Sequence, residues 1–144
     1  MRRRVLTAAI VLAAGYAALC ALAFFAQRSL LFPAPGLQRQ PRASGATLLT
    51  LSGPRGPVFA LHVPAPSGAR TAVFFHGNGE DLADAHFLID PLRAAGLGVL
   101  AVEYPGYGLA RGQTLSEAAL YDAAETAVRF VEASHAKVAL LGAQ

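Results

Sequence analysis

The chain has 144 residues, 54% of them hydrophobic and 15% charged, with a formal net charge of +3. That small excess hides an asymmetry: residues 1–79 carry eight arginines and no acid, whereas residues 80–144 carry four basic and nine acidic residues. The basic half sits beside an apolar segment instead of interleaving with aromatics on one face, which argues against nucleic acid as a partner and for a membrane, and the single cysteine, Cys20, excludes an internal disulfide.

In chain order, Arg2-Arg3-Arg4 precedes Val5 to Gln27, a run with no charge. About 22 helical residues rise roughly 33 Å, enough for the hydrocarbon core of a bilayer. A cleaved signal peptide has a shorter apolar region, of about 7–15 residues, so residues 1–28 are expected to be an uncleaved single-pass anchor. Three arginines before the span against Arg28 after it place the N-terminus in the cytoplasm and the globular part outside. Residues 29–45, with Pro33, Pro35, Gly36 and Pro41, read as an extended juxtamembrane linker.

Thr47–Leu51 and Val58–Val63 are predicted strands joined as a hairpin, with His62 an ordinary strand-face residue of the second. Ala72 leads into Val73–His76, an apolar run of the kind a parallel strand covered on both faces requires. His76-Gly77-Asn78-Gly79 then turns the chain tightly, and its backbone amides suit a negative oxygen. Asp81–Ala95 is a predicted helix burying Leu82, Ala85, Ile89 and Leu92, kinked or divided by Pro91 and closed by Gly96. The helix start at Asp81, Asp84 and His86 reads as solvated, and its spacing does not converge on a metal. Gly98–Tyr104 is a further apolar strand. Thr114-Leu115-Ser116-Glu117 reads as a capping box opening a helix with Leu120, Ala124, Ala127, Val128 and Val131 on one face, and Lys137–Leu141 is the last strand. Gly106, Gly108 and Gly112 depart from the spacing of a dinucleotide loop.

Three blocks, His76-Gly77-Asn78-Gly79, Glu103-Tyr104-Pro105-Gly106-Tyr107-Gly108 and Ser116 to Ala123, resemble the α/β-hydrolase superfamily in order and spacing. The closest branch is that of membrane-anchored, lysophospholipase- and serine-aminopeptidase-like hydrolases, whose juxtamembrane stretch Gln27 to Pro33 also resembles. The resemblance spans Thr47 to Gly142. It implies an α/β fold, the N-terminal half of a mostly parallel hydrolase sheet with helices on both faces and strands ordered 1-2-4-3-5, behind one transmembrane helix. A whole sheet of this kind takes on the order of 240 residues, so residues 46–144 are expected to be a partial domain, truncated at the nucleophile elbow and leaving its fifth strand as an edge.

By the same resemblance the backbone N–H of Asn78 is an oxyanion donor, supported by His76, Gly77 and Gly79. Gly142-Ala143-Gln144 stands where the superfamily has its Gly-x-Ser elbow, with Gln144 at the nucleophile position. A glutamine amide has no accessible nucleophilic form, and the acid and histidine of the triad would follow later in the chain. Ala110 stands where the branch has a serine. The expected function is therefore a membrane-anchored serine hydrolase of carboxylic esters or amides, present as a truncated and inactive chain. The expected partners are a membrane and a small-molecule or lipid-like ester or amide, with no cofactor, no metal and no nucleic acid. The alternatives are a non-catalytic pseudoenzyme or binding fragment, and a small membrane protein unrelated to hydrolysis.

Overall fold

The computed structural model describes residues 2–34, 39–134 and 137–142, without the side chains of Arg28, Ser29 and Lys137. Two units emerge, Met1–Pro33 and Ala34–Gln144. The first is one helix, α1 (Arg2–Leu31), whose apolar side chains stand exposed along its length. Its Arg2–Gln27 portion is long and apolar enough to cross a membrane.

Among the described residues the second unit is built on five strands, β1 (Thr47–Gly53), β2 (Gly56–Val63), β3 (Arg70–Phe75), β4 (Gly98–Val102) and β5 (Lys137–Gly142). Their order across the sheet is β1-β2-β4-β3-β5. The hairpin β1–β2 and the pair β2–β4 are antiparallel, while β3 runs parallel to both β4 and β5. Successive side chains alternate between faces. Val73, Leu100 and Val102 therefore pack on one side with Val58 and Ala60, against Ala123, Ala127 and Val131 of helix α3 (Glu117–Ala133). Phe74, Val99 and Ala101 pack on the other with Leu61 and Val63, against Leu82, Ala85 and Ile89 around helix α2 (His86–Ala94). Both faces are covered, which is why β3 and β4 read as unbroken apolar runs.

Four local expectations are corrected. The helix predicted over Asp81–Ala95 is divided at Ala85 instead of Pro91: a 3-10 turn, Leu82–Ala85, precedes α2. Asp81 accepts from the Ala83 N–H while Asp84 reaches back to the Asp81 N–H, and this reciprocal cap tightens the first turn. Pro91 stays inside α2, where the acceptor it abandons belongs to exposed Phe87. Gly96 does close α2: at φ +77° it donates to Arg93, and the Leu97 N–H returns to Leu92.

The cap of α3 is Ser116, whose Oγ accepts from Ala119, and not a box begun at Thr114. Of the face expected to be buried, Ala127 and Val131 are buried, but the ridge is completed by Ala119 and Ala123 instead of Leu120, Ala124 and Val128. Small side chains let the helix lie close on the sheet, and the larger neighbours are left flanking the contact.

The stretch from Arg39, expected as linker, lies against the domain. Pro41 is buried, Ala43 and Ala46 pack beside Ile89 and its neighbours, and the Arg93 guanidinium donates to the Ser44 carbonyl at 2.6 Å. Pro35 and Gly36 fall outside the described residues.

Candidate functional site

The carboxyl ends of parallel strands are where open α/β sheets hold ligands, and β3 delivers His76 at that end. The next residues form a turn in which the Glu80 N–H donates to the Gly77 carbonyl at 3.2 Å. Gly79 is its third residue, at φ +88°, a conformation that demands glycine. The Glu80 carboxylate accepts from the Gly77 N–H at 2.8 Å.

His76 is buried, and its ring is fixed from both sides. Nδ1 lies 3.1 Å from the Gly77 carbonyl, which can only accept, so Nδ1 carries a hydrogen. Nε2 lies 3.1 Å from Oε1 of Glu103 and accepts the Tyr104 N–H at 3.4 Å. Glu103 is 2% exposed. Its oxygens also accept the Leu82 N–H, at 3.3 Å to each, and the Leu109 N–H at 3.2 Å. Gly108, at φ +35°, lies so close that a Cβ there would overlap Oε2 of Glu103.

Aromatic rings enclose the imidazole, with Tyr104 at 4.4 Å and Tyr107 at 5.3 Å between centroids; Tyr104 stacks on Phe75 at 6.1 Å. Burial pushes both phenols above their ordinary range, so each stays a neutral hydrogen-bond donor at physiological pH. The Tyr107 hydroxyl donates to Oδ1 of Asn78 at 3.0 Å.

The structure thus brings His76, Gly77, Asn78 and Gly79 together in one turn. Gln144 lies outside the described residues, as does His135; the register sets Gly142 beside Phe75, the residue before His76. The helix start read as solvated is corrected. Asp81 is buried, and Arg39 grips it through Nη2 at 2.9 Å and Nε at 3.3 Å while also bonding Asp84. The hydrogen bond from Arg39 holds the Asp84 carboxyl below its ordinary value. His86 is exposed and bonds the Ala83 carbonyl, and His62 packs edge-on against Phe130, with burial holding its imidazole below the usual range. Among the described residues no group of three His, Cys, Asp or Glu could hold a metal ion.

Sequence reasoning quoted Glu103 and Tyr107 only as part of a resembling block, without a role, and passed over the Arg39–Asp81 pair. The available signal for Glu103 was its place: a charged residue directly after five apolar strand residues, followed by a loop with two glycines.

A scan of protein-family models finds no match, and a search of curated proteins finds none. Solved structures do match. A serine hydrolase without a lid from Xanthomonas campestris superposes with a TM-score of 0.56 at 19% identity, over 72% of this chain and 53% of its own. An esterase from Pyrobaculum calidifontis gives 0.54 at 19% identity, over 71% of this chain and 36% of its own. The chain has the α/β-hydrolase fold. An epoxide hydrolase from an endophytic Streptomyces also matches, with a TM-score of 0.54 at 21% identity over 69% of this chain and 30% of its own. The α/β-hydrolase unit thus spans about half, or less, of each of these solved chains. Their differing chemistries mean that the fold by itself does not choose a reaction.

Proposed function

We propose that this chain belongs to a membrane-anchored serine hydrolase of carboxylic esters or amides, and that it supplies the oxyanion side of the site. The observation that carries the reading is the turn His76-Gly77-Asn78-Gly79, held at the carboxyl end of the central parallel strand by a buried histidine–glutamate pair. In this reading the backbone N–H of Asn78 donates to the oxygen that gains charge when a carbonyl is attacked. One such donor is worth about 2.7–4 kcal/mol of transition-state stabilisation. That contribution acts only where a nucleophile attacks, and the glutamine at position 144 stands where the serine is expected.

The anchor reading rests on α1 and the arginines at positions 2–4: α1 crosses the membrane once, with the N-terminus in the cytoplasm. Alkaline carbonate extraction should leave the full chain in the membrane pellet; recovery of the full-length chain in the supernatant removes the anchor. A fluorophosphonate probe on the natively folded chain should give no labelling, whereas replacing Gln144 by serine tests whether the position can serve as an elbow. Probe attachment to any existing serine, abolished by mutating that serine, overturns the placement of the nucleophile.

A further inference from the structure

We propose that Glu103 is the positioning residue of the candidate oxyanion turn, acting on it through the ring of His76. The functional meaning rests on the oxyanion reading above; the geometry stands without it. Glu103 is almost wholly buried and gathers three separate segments onto one carboxylate: His76 after β3, the Leu82 N–H opening the 3-10 turn, and the Leu109 N–H in the loop after β4. Gly108 gives up its side chain to let the loop approach.

The consequence for the turn follows from covalent geometry. Glu103, together with the Tyr104 N–H, holds the Nε2 side of the imidazole, so the ring presents Nδ1–H to the Gly77 carbonyl. That same carbonyl also accepts the Glu80 N–H that closes the turn. The peptide unit between Gly77 and Asn78 is planar, so fixing the direction of its C=O fixes the direction of its N–H, which points the opposite way. The Asn78 N–H is thereby aimed from Glu103 through the ring of His76. Tyr107 holds the Asn78 side chain from the same loop, so one strand–loop segment controls both the backbone and the side chain at that position.

The test is NMR on the full chain in detergent micelles. In Glu103→Gln, which keeps the side chain's shape, the ring nitrogen signals of His76 should move. The N–H vector of Asn78, read from residual dipolar couplings, should reorient, and exchange at the Glu80 amide should speed up by about tenfold, the loss expected for one opened hydrogen bond. Amides of β2 and β4 away from residue 103 should be unchanged. In a His76→Phe background the same Glu103→Gln change should add nothing at Asn78 or Glu80, because the route through the ring is already gone. Gly108→Ala, which pushes on the carboxylate from the far side, should reproduce the Asn78 reorientation.

An unmoved Asn78 vector in folded Glu103→Gln overturns the proposal. So does an equal further loss in the His76→Phe background, which would make Glu103 a general support of the fold. Should Glu103→Gln unfold, Gly108→Ala decides on the same couplings. None of these outcomes depends on probe labelling, so the hydrolase reading and the positioning role can fail separately.

Discussion

Replacing Arg39 by glutamine removes the charge that neutralises a buried carboxylate. The Asp81 side chain is 1% exposed and, among the described residues, would retain the Ala83 N–H, with water entering where the guanidinium stood. Breaking a fully buried pair costs about 3–5 kcal/mol, but Arg39 is 44% exposed, so solvent replaces part of what is lost. The bonds to Asp84, 28% exposed, count as a surface pair worth about 0.2–1 kcal/mol. A total of about 1.5–3 kcal/mol follows, near the value of one charge-assisted hydrogen bond. The assay is denaturant unfolding of the full chain in detergent, followed by near-UV circular dichroism, repeated at several pH values. A carboxyl whose pKa is depressed in the folded state contributes stability that is present above its unfolded value and is lost as pH falls through the folded one. Arg39 depresses Asp84 below 3.8, so the wild type should lose stability as pH falls below about 4, and Arg39→Gln should lose less over that window. An unchanged unfolding midpoint at neutral pH, together with an unchanged acid slope, would refute the reasoning.

Ala127 is fully buried on the ridge of α3, so Ala127→Leu should force the helix off the sheet and cost about 1–3 kcal/mol in the same unfolding assay. Ser116→Ala removes the acceptor for the Ala119 N–H and should cost about 1 kcal/mol; no loss would show that the cap is idle. Among the described residues β5 pairs only with β3, and Leu140 on it is 66% exposed, so Leu140→Lys should reduce self-association on size-exclusion chromatography. Identical elution profiles would count against the exposed edge as the cause.

The strands were legible because their cause is local: Val73–Phe75 and Val99–Val102 are runs that fit only a strand covered on both faces. The turn after β3 was legible in its two glycines, and the strand order was legible through a resemblance, which supplied pairings that periodicity cannot. What stayed hidden depends on partners far apart in the chain. Asp81 looks like an exposed helix cap until Arg39, which precedes it by a whole hairpin and a strand, is folded onto it. Glu103 looks like a strand-end charge until His76 and Leu109 close around it. The face of α3 was misjudged for another reason. Leucine and valine carry the strongest hydrophobic signal, whereas a helix lying close to a sheet buries its smallest residues, and periodicity weighs size where the contact required its absence.

The position of β3 in the sheet has a consequence for the order of assembly. Both of its neighbours, β4 and β5, come later in the chain than β3 itself. During synthesis the hairpin β1–β2 can close on itself as soon as it emerges, while β3 has left the ribosome with neither flank available. β4 must then insert between β2 and β3, and β5 closes the longest loop, from Arg70 to Lys137. Contacts of such long sequence separation form slowly. β3, whose Ala72, Val73 and Phe74 end up buried, is therefore a strand whose backbone waits for partners on both sides, and the nascent chain passes through a state in which that strand is unshielded.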